Sequence, residues 1–371
     1  MNAIYLAAPI NFCKLTNPHP APENRELMRA LAMKGFGGLE QIEPVEAPTP
    51  AVRSPDDVRV RIHAAALNRI DLFVLRGLPK AHYDFPHVLG SDGAGVVDEV
   101  GSAVTAVKPG DRVLLNPGIS CGRCAACRSG EQPLCRKYRI LGEHIEGTAG
   151  EFVVVPEANV AKIGTDWSWA EAAAFPLATL TTWRMLTTRA QLRAGETILI
   201  WGIGGGVGLA AVQIARLIGA RVVATSSSDA KLEVAQRLGA DVLLNHGTAD
   251  VARDVRNLTG VGADVVLDCV GEKTWESSLK ALRPMGRLVT CGATTGPHVS
   301  LDIRKLFWFQ WNIMGSTMGN DREFREIVAL GERGLLRPVV DSVIPLAEGA
   351  SAFARLAEGK QLGKIVIEVN S

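Results

Sequence analysis

Aromatic residues are scarce in this sequence: ten Phe, seven Trp and three Tyr make up 5% of 371 residues. Net charge is scarcer still, since 40 basic residues against 39 acidic ones leave +1. Such a balance lacks the footprint of a nucleic-acid binder or of a protein that coats an anionic membrane. No low-complexity tract and no repeat of solenoid period interrupts the chain. The opening MNAIYLAAPINF carries no basic n-region and no small-residue cleavage pattern, so a cytoplasmic protein is expected. One uncharged stretch, 197–215 (TILIWGIGGGVGLAAVQIA), is about long enough to cross a bilayer. Its glycines weaken a continuous helix, so a buried strand, a turn and a buried helix start are expected instead.

What is present is an ordinary globular composition, 47% apolar and 21% charged, which excludes a disordered or collagen-like chain. The length is enough for two domains. Residues 1–27 are rich in Pro and Asn without a clean period and are set apart as an extension. From Met28 to 165, short apolar runs (VRVRIHAAAL, GAGVVDEVG, DRVLL, EFVVVP) are broken by Pro, Gly and Asp, the pattern of a β-rich domain. From 166 to 318 strands alternate with helices: ETILIWG, GLAAVQIARLIGA, RVVATSS, DAKLEVAQRLGA, DVLLN, ADVVLDCVG and GRLVTCGA. That alternation means βαβ units on a parallel sheet. Residues 319–371 return to the first domain with one amphipathic helix and a last strand.

The run WGIGGGVG, 201–208, joins a strand to a helix. There a sharp turn, a diphosphate approaching the helix N-terminus and close helix–strand packing each remove a Cβ. Gly202, Gly204, Gly205, Gly206, Val207 and Gly208 therefore form a candidate dinucleotide site, alternatively a ligand-free glycine turn. Two registers of the glycine rule fit: Gly204, Gly205 or Gly206, and Gly208; or Gly202, Gly205 and Gly208. The next strand ends in Ser226, Ser227 and Ser228, with Lys231 a turn later, where an acid would select a ribose diol. Hydroxyls and an ammonium there favour a 2′-phosphate, hence NADPH over NADH. Asp229 weakens that reading unless it caps the following helix.

Four of seven cysteines, Cys121, Cys124, Cys127 and Cys135, fall within fifteen residues (CGRCAACRSGEQPLC). Four thiolates close the tetrahedral shell of one zinc and leave no open position, so such a metal is structural. Two disulfides are the alternative. An iron–sulfur cluster fits less well, because Pro133 precedes the fourth cysteine instead of following it.

Together LNRID, FPHVLGSDGAGVVDEVG, VKPGDRV, the cysteine lobe 118–138, GEFVVVP, FPLATLTTWRML, the glycine turn and QLGKIVIEV resemble the medium-chain dehydrogenase/reductase superfamily, from Met28 onward. The resemblance implies an α/β fold: a GroES-like β-rich catalytic domain plus a Rossmann doubly wound parallel-sheet domain, with the active site between them. The cysteine lobe looks like that of zinc alcohol dehydrogenases, implying one structural zinc per subunit. The catalytic-zinc positions depart from the pattern: Asn68, Ser91 and Leu177 stand where ligands would be, and Asp92 where a glutamate would be. None of the three supplies a thiolate, imidazole or carboxylate. In this the sequence resembles the quinone oxidoreductase branch.

The resemblance implies further roles. Asn68, Ser91 and Tyr83 become candidate donors to a substrate oxygen that gains charge, although Asn68 also reads as a satisfied turn residue and Ser91 as a small packing residue. Arg69 would reach the cofactor diphosphate and Thr181 the nicotinamide amide; Gly271, Gly292 and Lys364 match cofactor-contacting places, and His246 stands near the 2′-phosphate. The expected activity is NADPH-dependent hydride transfer to a quinone or α,β-unsaturated carbonyl without a catalytic zinc. An NAD(P)-dependent alcohol dehydrogenase, or a non-enzymatic member of the superfamily, is the alternative. The apolar segment 306–319 (LFWFQWNIMGSTMG) reads as a buried or edge strand that pairs subunits into a homodimer or homotetramer.

Overall fold

The computed structural model describes residues 26–78 and 83–370. The extension expected at 1–27 lies outside these residues except for Glu26 and Leu27, and Leu27 already opens the first strand, Leu27–Met33.

The first domain is built on a sheet in the order Val160–Lys162, Arg112–Leu115, Asp92–Val100, Asp57–Ala66, Lys364–Glu368, Val340–Pro345, with Phe152–Pro156 also paired to Asp57–Ala66. Its central strand shows why VRVRIH is a strand: Val58, Val60 and Ile62 are fully buried while Arg59 and Arg61 face outward to Asp98. A smaller sheet, Ile42–Pro48, Leu27–Met33 and His87–Val88, packs beside it.

The second sheet has six strands in the order Val242–Asn245, Arg221–Ser226, Thr197–Ile200, Ala263–Leu267, Leu282–Thr290, Asn312–Gly315. Every pairing in it is parallel. The order reverses beside Thr197–Ile200, so the carboxyl ends of that strand and its neighbours open onto a crevice where α/β sheets bind ligands. Residues 197–215 resolve as expected into the strand Thr197–Ile200, a turn and the helix Gly206–Ile218. Among the described residues no helix is long and apolar enough to cross a membrane.

Two expectations change. The segment 306–319 is not one buried strand: Ile303–Trp308 is a short helix and Asn312–Gly315 an edge strand. Phe307 and Trp308 are 64% and 76% exposed, whereas Trp311, with Leu306, Phe309 and Ile313 beside it, packs inward, the Trp311 Nε1 donating to the Arg283 carbonyl at 3.1 Å. Nor does Asp229 cap its helix. Ser228 occupies the N-cap, and Asp229 Oδ1 accepts from Asn245 Nδ2 at 2.7 Å.

The two domains share one continuous apolar cluster, which runs from Ala64, Ala66, Ala94 and Leu114 of the first to Ile198, Ile200 and Ile203 of the second. A polar seam runs alongside. Arg184, buried, donates to Glu323 at 3.1 Å and to Glu131. Asn320 Nδ2 donates to the Gly130 carbonyl at 2.7 Å, and Gln132 Nε2 to Asp321 at 3.0 Å. The cysteine lobe thus docks on the helix Asp321–Glu332.

Candidate active site

The glycines of the turn differ in their surroundings. Gly202 has φ +67°, the left-handed turn out of the strand. A Cβ on Gly205 would meet nothing within 4 Å, leaving an open backbone face at the helix N-cap. A Cβ on Gly208 would sit 2.7 Å from Ile203 Cα, so glycine is required for the helix to pack on the turn. The set Gly202, Gly205, Gly208 therefore fits the three demands of a dinucleotide turn. Gly204 underlies Lys231, whose Nζ would lie 3.0 Å from a Cβ there. Gly206 underlies Lys364 Cδ at 3.0 Å, and Val207 carries the carbonyl that accepts from Thr182 Oγ1 at 3.3 Å.

Cations gather over this turn. Lys231 reaches the Gly359 carbonyl at 3.3 Å, and a Cβ on Gly359 would lie 3.2 Å from Arg69 Nη2. Burial, together with Arg69 and Arg355, holds the Lys231 pKa below its ordinary value, against the pull of Asp341. Ser226 is buried, and its Oγ accepts from the Ser228 N–H at 3.1 Å; Ser227 is exposed. His246 follows the adjacent strand and its ring lies 5.8 Å from that of Trp201. Thr181 lies buried on the helix Pro176–Trp183, its Oγ1 4.0 Å from Met318 Sδ. Gly271 (φ +90°) and Gly292 follow the strands Ala263–Leu267 and Leu282–Thr290, at the same end of the sheet. The glycine turn, Ser226, His246, Gly271 and Gly292 thus lie at or just beyond the carboxyl ends of neighbouring parallel strands, and the open backbone and cationic rim of the turn fit a dinucleotide diphosphate.

Beside it lies a buried ionic cluster. Asn68 is the N-cap of the helix Arg69–Arg76, with its backbone N–H on Asp71 Oδ2 at 2.6 Å. Its side chain is engaged on both sides: Oδ1 accepts from Lys364 Nζ at 2.5 Å, and Nδ2 donates to Asp92 Oδ2 at 2.9 Å. Lys364 Nζ also reaches Asp92 Oδ2 at 2.8 Å, with side chains only 5% and 0% exposed. The other Asp92 oxygen accepts the Leu177 N–H at 2.8 Å. Asn68, Asp92 and Leu177, three of the positions where the resemblance expects metal-site residues, are thus knit together around an ammonium. Lys364 has both contacts: its stem crosses the glycine turn and its charge neutralises Asp92.

Next to this cluster several buried polar atoms have no hydrogen-bond partner among the described residues: Ser91 Oγ, Tyr83 OH, Asp71 Oδ1 and Glu143 Oε2, the last 3.7 Å from His144 Nδ1. Tyr83 packs against His87 (4.6 Å between ring centres) and Phe36 (5.5 Å). Burial, and secondarily Glu143, push its hydroxyl up to about 12, so it remains a donor. Burial raises Asp71 to about 7 despite the Asn68 N–H and Lys364. Burial and the nearby Asp71 raise Glu143 to about 7 as well. Glu143 is the residue that sequence reasoning missed, since only its burial beside another acid distinguishes it. His63 and His87 are engaged structurally, one stacked 4.5 Å from Trp169 and the other 3.1 Å from the Gly142 carbonyl.

In the lobe, the ligand sulfurs of Cys121, Cys124, Cys127 and Cys135 all lie within 4.8 Å of one another. The separations 3.5 Å (Cys124–Cys127) and 3.9 Å (Cys121–Cys127) bracket the edge of about 3.8 Å that a tetrahedron with Zn–S near 2.3 Å requires. Backbone N–H groups of Arg123 and Cys124 pull the Cys121 thiol down to about 6, toward the thiolate a metal needs. One closed four-sulfur centre fits this geometry better than two disulfides.

Comparison with known proteins agrees with this layout. The model of the alcohol dehydrogenase GroES-like domain matches residues 54–165, and that of zinc-binding dehydrogenases matches 206–333. The quinone oxidoreductase of Pseudomonas aeruginosa is 33% identical over 351 residues, covering 92% of this chain and 99% of its own. The acryloyl-coenzyme A reductase of Metallosphaera sedula is 32% identical over 343 residues, with coverage of 92% and 99%. A crystal structure of an NAD-dependent alcohol dehydrogenase superposes with a TM-score of 0.89 at 45% identity, covering 92% of this chain and all of the other.

Proposed function

The chain belongs to the medium-chain dehydrogenase/reductase superfamily and is an oxidoreductase, and from that premise we propose that it is an NADPH-dependent reductase of quinones or α,β-unsaturated carbonyls. The observation that carries this reading is the Lys364–Asp92–Asn68 cluster: Asn68, Ser91 and Leu177, at the positions where the resemblance places metal ligands, supply no zinc donor, and a lysine ammonium occupies Asn68 and Asp92. Quinones and enones suit such a site, because the charge left on oxygen delocalises into a hydroquinone or an enolate.

A bound NADPH supplies the hydride. Gly205 and the N-terminus of Gly206–Ile218 receive its diphosphate, with Arg69 and Lys231 above. Ser226, Ser227, Lys231 and His246 hold the 2′-phosphate end, and Thr181, Gly271 and Gly292 the nicotinamide end. The hydroxyls of Ser91 and Tyr83 donate to the substrate oxygen as its charge develops. Each such donor is worth about 3 kcal/mol in the transition state. Glu143 holds the proton that completes the reduction, since its raised pKa keeps it protonated in part near neutrality. Cys121, Cys124, Cys127 and Cys135 hold a structural zinc that shapes the lobe and takes no part in these steps. We assign 28–165 with 319–371 to the catalytic domain and 166–318 to the cofactor domain. The exposed edge strand Asn312–Gly315, beside Phe307 and Trp308, joins a second copy.

The alcohol dehydrogenase reading is favoured by the 45% identity to such an enzyme. One experiment separates the two. NADPH oxidation with 1,4-benzoquinone or an enone is compared with NADP⁺ and NAD⁺ reduction by alcohols, and zinc is counted per chain. One zinc with quinone or enone turnover supports the proposal; two zincs with turnover of alcohols alone would falsify it.

A further inference from the structure

Two thiols outside the metal lobe face each other across the parallel sheet. The strands Ala263–Leu267 and Leu282–Thr290 pair with Leu267 opposite Val289. Two residues further along each chain stand Cys269 and Cys291, their Sγ atoms 3.2 Å apart. The ladder still holds there, the Asp268 N–H donating to the Val289 carbonyl at 3.1 Å. Side chains alternate along a strand, so both thiols share the face of Leu267 and Val289 and pack on the same core. The turn beneath them is braced. The buried Asp268 carboxylate accepts from the Val270 and Gly271 N–H groups and from Thr274 and Ser278. Thr294 Oγ1 donates to the Cys269 carbonyl at 3.1 Å, tying in the loop after the second strand. Both cysteines keep part of their surface exposed, within reach of a small oxidant.

We propose that Cys269 and Cys291 form a redox-modification site that closes a reversible disulfide when the protein meets a peroxide. Neighbouring strands run about 4.8 Å apart, inside the Cα separation of roughly 4.4–6.8 Å that disulfides accept. The Cys269 thiolate attacks one peroxide oxygen, the O–O bond breaks, and the other oxygen leaves as water after taking a proton. Cys291 then attacks the sulfenic sulfur, its proton leaves with the displaced hydroxyl as a second water, and the S–S bond forms. The two sulfurs lose two electrons and the peroxide gains them. The neighbouring Cys269 sulfur, and then burial, hold the Cys291 pKa well above its ordinary value, so the first attack falls to Cys269. The bond would tether the turn carrying Gly271 to the turn carrying Gly292. On the dinucleotide reading above, it thereby weakens NADPH binding.

The test uses the full-length zinc-loaded protein, reduced, exposed to hydrogen peroxide, quenched with an alkylating agent and digested with trypsin. The thiols fall in peptides 257–273 and 288–304, which contain none of the lobe cysteines. The expected product is these two peptides joined, lighter than their sum by two hydrogens and separated again by dithiothreitol. Cys269→Ser and Cys291→Ser should each abolish it. Recovery of both peptides separately alkylated, or of Cys269 as sulfinic acid without a crosslink, overturns the proposal. Because the crosslink is read without turnover, it stands or falls independently of the reductase reading. NADPH affinity by nicotinamide fluorescence should fall several-fold on linkage and stay unchanged by peroxide in the double serine variant. Equal affinity before and after linkage would sink the coupling to the cofactor.

Discussion

Asp92 is a fully buried carboxylate whose counter-charge is one lysine. Lys364→Met would leave that charge unpaired in the interior, and such losses cost about 3–5 kcal/mol. Thermal melting should show the drop, and adding Asp92→Asn should restore part of it; a single variant that melts like the parent would refute the pairing. Glu143 gives a second residue-scale prediction, in pH. Its folded pKa of about 7 lies above the ordinary value of 4.5. The stability this confers is complete below about pH 4.5 and is lost as pH rises through 7, when an acid beside Asp71 must ionise. Glu143→Gln should therefore gain melting temperature over the parent at pH 8.5 but not at pH 4.5. The shift corresponds to something on the order of 3 kcal/mol. Catalysis offers a third: Ser91→Ala and Tyr83→Phe should each lower kcat/KM for a quinone about a hundredfold, with little change in melting. At this scale the sequence was only partly legible. Asn68, Ser91 and Leu177 could be picked out because donor chemistry was missing where a metal site would need it. What fills the gap could not be. Lys364 lies 296 positions from Asn68 along the chain, and no period or motif encodes that meeting. Glu143 was hidden for the same reason.

Among the elements, the glycine turn was the most legible, because each demand on it is local to a strand, a turn and a helix. Its register was not, since neighbouring glycines look alike until a Cβ is built on each. The difference makes a paired test. Gly208→Ala places a methyl 2.7 Å from Ile203 Cα and should destabilise by about 1–3 kcal/mol. Gly205→Ala meets no atom within 4 Å, so it should fold normally and lose dinucleotide affinity. Melting curves beside NADPH titrations would separate the two; equal loss of stability in both would contradict the assigned roles. The segment 306–319 shows the opposite failure. Its aromatic density reads as burial, yet the short helix turns Phe307 and Trp308 outward while Leu306, Phe309 and Trp311 anchor it. Sequence hydrophobicity does not say whether a partner's surface or the chain's own core covers a ring.

For the whole molecule, the exposed rings beside an open edge strand predict assembly. Trp308→Glu should shift the light-scattering mass from dimer to monomer without lowering the zinc content, and an unchanged mass would place the interface elsewhere. The cysteine lobe belongs to this scale too, although its four residues lie close together in sequence. Gly130, Glu131 and Gln132 all reach across to Asn320, Arg184 and Asp321, where the chain leaves one sheet for the other. The lobe is therefore placed to latch together the segments that cross between the two sheets. A chelator, or Cys124→Ser, should open the junction first: protease nicks should appear near residues 316–320 before either sheet melts, and the two halves should begin to unfold as separate transitions.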